Sequence, residues 1–423
     1  MESDCTQTMY LAILKDELKP ATGCTEPIAI AYCAAKLRET LGARPTEIMA
    51  EVSGNILKNV KSVIVPNTGG LKGLQAAIAV GIVAGDPHRE LQVITQVAAS
   101  EYPAIAAYLA ETPMHVACPE EARMLDIRLT GKAGGDTAMV HIVDHHANIV
   151  QIVKNDTVLF ENSMEDSTDG ASPDKSHLTV AEILHFADTV DTALLAPLLD
   201  PQIACNSAIA EEGLRGDWGA NIGSTLLADY GGDIKIEARA YAAAGSDARM
   251  SGCELPVVIL SGSGNQGLTA SLPVIRYAKH LGATQEQLYR ALAVSALVTV
   301  HQKAGIGVLS AYCGAVSAGV GAGAGIAYLC GADVATISQT IVNAVAILSG
   351  TICDGAKPSC AAKIAEAVDA GILGYRMALH HDGFHGGDGI LAEGVDSTIT
   401  NVGVLAREGM RETDRTILKI MTE

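Results

Sequence analysis

Aromatic residues are scarce in this 423-residue chain: 3 Phe, 1 Trp and 11 Tyr. With so few large rings, the cores must be built from aliphatic and small side chains, and the 43 glycines point to closely packed helices. Positive charge is also in short supply. Against 48 Asp and Glu stand 29 Lys and Arg, a net charge of −19, with no basic cluster and no interleaving of basic and aromatic residues. A surface that tracks phosphates needs the opposite sign, so nucleic acid is excluded as a partner. Mean hydropathy is positive at +0.25. Yet His301, Gln302 and Lys303, then Asp333, Gln339 and Asn343, interrupt the most apolar runs. No clean span of about 20 apolar residues is left, which excludes a membrane helix. The opening Met1-Glu-Ser-Asp-Cys5 has neither a basic nor an apolar leader region, so no secretory signal is expected and the location reads as cytoplasmic. In that reducing compartment the ten cysteines are thiols, metal ligands or catalytic groups, not a disulfide framework.

The fold class expected is α+β: a mixed α/β domain with an antiparallel sheet over residues 1–170, then an all-α domain over 178–423. Residues 6–19 read as a helix ending at Pro20, and Glu26-Pro27 as the first turn of a second helix running to about Leu41, with Thr25 as its N-cap. Glu47–Val65 alternates like a strand pair broken at Ser53-Gly54-Asn55, and a helix follows from Leu71 to about Val83. Between Met124 and Phe160 four alternating runs and their turns spell an antiparallel meander. His141, His145 and His146 belong to it, as solvated residues. Glu161–His177, polar with Ser, Asp, Gly and Pro173, is the linker. Helices are then expected over 178–190, 203–214, 284–301, 333–349, 360–380 and 413–422.

Chemistry is concentrated in four places. Cys24, in Gly23-Cys24-Thr25-Glu26-Pro27, stands at the positive end of a helix, which lowers a thiol pKa from about 8.5 toward neutrality; a small buried residue at a helix start reads equally well. Ser261-Gly262-Ser263-Gly264-Asn265-Gln266-Gly267 follows a strand-like run at 255–260. It matches G-x-G-x-x-G but lacks repeated βαβ units and a downstream acidic residue, which rules out a dinucleotide site. What remains is a nest of backbone N–H groups suited to a carboxylate, or a structural turn. Cys313, and the pair Cys353 and Cys360 in a loop broken by Gly355 and Pro358, lack the close pairs of zinc sites and the C-x2-C-x2-C run of electron-transfer clusters. Taken alone they read as structural thiols, or as three soft ligands that would leave one iron of a cluster open. Finally, the glycine-rich stretch with His381, His385 and Asp388 reads as a structural or gating loop, not a metal site.

These motifs, together with Leu309-Ser310-Ala311-Tyr312-Cys313-Gly314, occur in the same order in the L-cysteine desulfidase family, which is related to the alpha chain of iron–sulfur L-serine dehydratases. The chain resembles that family over nearly its whole length. The resemblance implies a carbon–sulfur lyase converting L-cysteine to pyruvate, ammonia and hydrogen sulfide without pyridoxal phosphate. It implies a [4Fe–4S] cluster on Cys313, Cys353 and Cys360, with Cys24 as the base and 178–423 as the catalytic domain. The substrate carboxylate falls to Ser261, Gly262, Ser263, Gly264, Asn265 and Gln266, with Lys303 or Lys357. Expected partners are a small amino acid and, at most, further copies of the chain as a homo-oligomer. L-serine dehydratase chemistry in the same site, and a non-catalytic iron–sulfur sensor, are the alternatives. The six-residue gap between Cys353 and Cys360 and the Gly23–Pro27 motif favour the desulfidase.

Overall fold

Alternating residues in the first half and helical periods in the second settle into two large cores. The computed structural model describes residues 2–119, 122–162, 173–307 and 309–422. Helix α1 (Glu2–Glu17) stops before Pro20, as expected, and strand β1 (Lys19–Thr22) follows. Helix α2 (Thr25–Leu41) comes next, with Cys24 and not Thr25 at its N-cap. Strand β2 (Glu47–Val52) then leads into a short helix, α3 (Gly54–Val60). A second strand was expected there. The Ser53 side chain instead accepts the Ile56 N–H, a cap that starts a helix, and Ile56 and Val60, four residues apart, are both buried. Helix α4 (Gly73–Ala84) and helix α5 (Tyr102–Glu111) complete this region with β3 (Met114–Ala117), a strand that alternation did not reveal.

The meander is present as β4 (Asp126–Ala133), β5 (Asp136–Val143), β6 (Ile149–Lys154) and β7 (Thr157–Glu161). The sheet order is β3-β2-β4-β5-β6-β7, antiparallel except for the parallel pair β2–β3. Ile127, Leu129, Val140 and Ile142 point from it into the core beneath α2 and α4, where burial of such a side chain contributes about 1.5–3 kcal/mol. Of the segment expected to be a linker, residues 163–172 lie outside the described residues.

After the linker the chain is almost wholly helical. Helices α6 (Val180–Thr189), α7 (Thr192–Arg215), α8 (Ile222–Tyr230) and α9 (Ile234–Met250) lead to a single strand, β8 (Pro256–Ile259). Helices α10 (Gly264–Leu281), α11 (Gln285–Ile306), α12 (Gly314–Leu329) and α13 (Val334–Leu348) follow. Helices α14 (Cys360–Leu379), α15 (Val395–Val404) and α16 (Arg411–Thr422) close the chain. Strand β8 pairs antiparallel with β1, and Tyr10, Ile13 and Leu14 of α1 sit in the helical core. Residues 10–21 therefore pack with the second half of the chain. Among the described residues no helix is long and apolar enough to cross a membrane.

Glycine does its packing work where α12 crosses α14. A Cβ placed on Gly371 would stand 2.2 Å from the Gly319 carbonyl oxygen, and one on Gly319 2.3 Å from that of Ala367. Backbone cannot yield as a side-chain tip can. Gly371→Val is therefore expected to destabilise the protein by at least about 3 kcal/mol, the upper part of the overpacking range, seen as a lower denaturant midpoint. A stability equal to the wild type would mean the helices are free to separate.

Candidate active site

Three helices begin at, or immediately after, a cysteine. Cys24 caps α2, Cys313 caps α12, and Cys360 is the first residue of α14. A fourth, α10, is capped by Ser263, whose Oγ accepts the Gln266 N–H. All four helix starts face one cavity of about 100 Å³. Partial positive charge gathers at helix N-termini, so this cavity favours an anionic occupant.

The cysteine trio comes together through backbone pairing. Tyr312 and Ile352 form an isolated antiparallel bridge, the Cys353 N–H donates to the Ala311 carbonyl at 2.6 Å, and the Cys313 N–H to that of Thr351 at 3.2 Å. The two strand-like fragments therefore set Cys313 beside Cys353. The loop from Cys353 then turns at Gly355 (φ +95°), pressed so close to the Lys58 carbonyl that a Cβ would lie 2.3 Å from it. That turn brings Cys360 to the same cavity, which Cys24, Cys313, Cys353 and Cys360 all line. Among the described residues no three His, Cys, Asp or Glu side chains are grouped tightly enough to hold a single metal ion.

Burial governs the charges. Cys24 is 2% exposed, and desolvation pushes its thiol up to about 12, with Arg249 pulling the other way. The helix N-terminus was expected to bring this thiol toward neutrality; loss of water around the sulfur outweighs the dipole. Desolvation likewise pushes Cys313 up to about 12, the neighbouring Cys353 adding to it, and raises Cys360. Burial lowers Lys303 to about 8, opposed by Cys353 and Cys313.

The turn after β8 is held by left-handed conformations at Ser261 (φ +48°) and Gly262 (φ +73°) and by reciprocal hydrogen bonds between Leu260 and Ser263. Thr25 Oγ1 donates to the Gly262 carbonyl at 2.9 Å, tying this turn to the start of α2. Ser261, Gly262, Ser263, Asn265 and Gln266 line the cavity, as does Lys303. Gly264 lies behind them, where a Cβ would strike the Arg249 guanidinium at 2.3 Å. Lys357 is not among the lining residues: its Nζ is engaged by Asp354 and by the Gly355 carbonyl, and Lys363 lines the wall in its place.

Several lining residues escaped the sequence reading. Glu26 is 9% exposed and accepts a hydrogen bond from Asn59 Nδ2 at 3.1 Å, with Thr25 Oγ1 also at 3.1 Å, its one proton shared with the nearer Gly262 carbonyl. Arg249, at the end of α9, is 1% exposed. His146 was expected in solvent on its turn, but the turn folds inward and its buried Nε2 has no partner, with its pKa lowered by burial. His141 is buried too, its Nε2 2.8 Å from Asp126 Oδ1 on the neighbouring strand. Only Glu26 carried a sequence signal, its place beside Cys24.

A pocket that collects motifs from both ends of a chain is a strong basis for comparison with known proteins. Residues 89–419 match the serine dehydratase alpha chain family, and the chain belongs to that family. It is also similar over its length to UPF0597 proteins. That of Desulfitobacterium hafniense (strain Y51) is 55% identical over 412 residues, covering 97% of this chain and 96% of the relative. Those of Lachnoclostridium phytofermentans (51% identical; 97% and 98% covered) and Treponema denticola (44%; 97% and 97%) are similar in the same way.

Proposed function

We propose that this protein is a lyase that eliminates the β-substituent of L-cysteine, giving pyruvate, ammonia and hydrogen sulfide. The observation that carries the reading is the meeting of Cys24, the three other thiols and the turn at 261–267 around one cavity. Cys313, Cys353 and Cys360 would hold a [4Fe–4S] cluster. The donor set fits in kind: three soft sulfur ligands on one cavity, Cys313 buried and Cys353 and Cys360 partly so. When bound, such a cluster with one open iron supplies a Lewis acid that favours departure of the leaving group.

The chain's own residues do the rest. The turn at 261–263 and the start of α10 orient the substrate carboxylate. Cys24 takes the proton from Cα in its thiolate form, which burial disfavours and the neighbouring Arg249 charge supports. The Cα–H electron pair becomes the Cα=Cβ bond, and the Cβ–S pair leaves with sulfur as hydrosulfide. The released aminoacrylate tautomerises and hydrolyses in water to pyruvate and ammonia.

Family membership favours one second reading, L-serine dehydratase chemistry in the same cavity. The decisive experiment is anaerobic purification with iron and acid-labile sulfide analysis, then pyruvate assays on L-cysteine and L-serine side by side. L-Cysteine is expected to turn over at least tenfold more efficiently, by kcat/KM. The reverse order would assign the dehydratase, and no pyruvate from either, with full iron, would reject a lyase.

A further inference from the structure

Two opposite charges are buried beside Cys24, and among the described residues neither has a partner of opposite charge within ion-pair distance other than the Cys24 sulfur that Arg249 faces. The Arg249 guanidinium spends Nε on the Gly23 carbonyl at 3.1 Å and Nη1 on Asn265 Oδ1 at 3.0 Å, and its buried Nη2 has no partner. Among the described residues no carboxylate pairs with it. Glu26 accepts from Asn59 and shares the Thr25 hydroxyl with the Gly262 carbonyl, both donors neutral; buried His146 is close enough to feel its charge, but among the described residues no Lys, Arg or His lies within ion-pair distance of it. Both residues line the cavity, and both act on the Cys24 thiol, Arg249 favouring its charged form and Glu26 opposing it.

A buried ion lacking an opposite charge is costly, and burial of this kind persists where something supplies the partner. The two residues do not form a salt bridge with each other, so each can still take an ion-pair partner from a ligand. Other polar atoms in the same wall are equally unsatisfied, since Ser261 Oγ and Gln266 Oε1 are buried without partners. Buried polar groups are ordinarily hydrogen-bonded, which makes these vacancies informative. A free α-amino acid carries a carboxylate and an ammonium on one carbon, and so complements both charges at once.

We propose that Arg249 and Glu26 form a two-ended reader for the zwitterion of a free α-amino acid. Arg249 Nη2, with Ser261 Oγ, takes the α-carboxylate, and Glu26 takes the α-ammonium. This rests on the reading of the cavity as an amino-acid site, and it adds the residues that select the substrate class. Hydroxy acids and thiol acids lacking the ammonium leave Glu26 unpaired, and amines lacking the carboxylate leave Arg249 unpaired. A peptide is rejected because its amide linkage removes one of the two charges.

The test is calorimetric titration of the anaerobically purified protein with L-alanine, which has no leaving group, and with propionate and ethylamine, which each keep one charge. Wild type should bind L-alanine at least tenfold more tightly than either. Glu26→Gln, nearly isosteric, should weaken L-alanine at least tenfold and leave propionate within about twofold. Arg249→Lys should weaken both L-alanine and propionate at least tenfold. Ser261→Ala, which removes one hydroxyl and does not disturb the Arg249 packing, should weaken both severalfold and guards against a folding defect in the arginine variant. Equal binding of L-alanine and propionate by wild type, unchanged binding in Glu26→Gln, or no binding of L-alanine at all would overturn the assignment. Failure of L-cysteine to yield pyruvate while this binding pattern holds would reject the lyase reading and leave the reader standing.

Discussion

Cys313→Ala, Cys353→Ala and Cys360→Ala are each expected to strip the anaerobically purified protein of iron, acid-labile sulfide and its visible chromophore, and to abolish pyruvate formation with them. Cys24→Ala is expected to keep the first three and lose turnover alone, by about 10²–10⁴-fold, the usual worth of a positioned proton-transfer group. The four thiols look alike in chemistry, since all are cysteines lining one cavity. Their mountings separate them. Cys313 and Cys353 are neighbours through the Tyr312–Ile352 bridge, and the Gly355 turn carries Cys360 to join them. Cys24 is mounted separately at the start of α2, packed on Val63 and the Met250 sulfur in a cluster that Cys360 also touches, and close to Arg249 and Glu26. A cluster ligand must be fixed relative to its fellow ligands, whereas a proton carrier must be fixed relative to the substrate. Iron content unchanged in any of the first three variants, or lost in Cys24→Ala, would reverse these roles.

Asp414→Ala should cost about 3–5 kcal/mol, the price of leaving a buried charge alone. Lys58 in α3 has a side chain only 1% exposed, and Asp414 on α16 is its ion-pair partner. The same helix α16 sets Leu418 against Gly54, where a Cβ would lie 2.3 Å from its Cδ1. Beneath Lys58 runs the Gly355 turn, in contact with the Lys58 carbonyl. The C-terminal helix thus clamps α3, and α3 supports the loop that carries Cys353 and Cys360. Chemical denaturation should show the loss in Asp414→Ala, while the double variant Lys58→Met with Asp414→Leu, which removes both charges, should recover most of it. A single variant as stable as the wild type would show that the pair contributes little.

How far the sequence revealed this site depended on how far apart its parts lie in the chain. Helices bounded by Gly and strands marked by alternation were readable, because each signal lies within a dozen residues. The start of α3 was misread because one serine cap outweighed a weak alternating pattern. The short β3 escaped because a four-residue strand gains its structure from pairing with β2, not from its own residues. Within the site, Cys24, the cysteine trio and the turn at 261–267 stood in recognisable motifs. Arg249 did not, since a basic residue in the last turn of a helix is ordinary, and only the fold shows that it points inward. His146 was misplaced for the mirror reason: turns usually face water, and this one closes over the cavity. The pKa of Cys24 was misjudged because dipoles are visible in a sequence and desolvation is not.

The pairing of β1 with β8 sets an order of events during synthesis. Residues 19–22 leave the ribosome more than two hundred residues before 256–259, their partners. Until then that short strand is an unpaired edge, and the apolar face of α1 lacks the helices it will pack on. The nascent chain must keep its first twenty residues out of trouble while the sheet assembles. Cys24, next along the chain, reaches its final environment only once α9 and β8 have arrived.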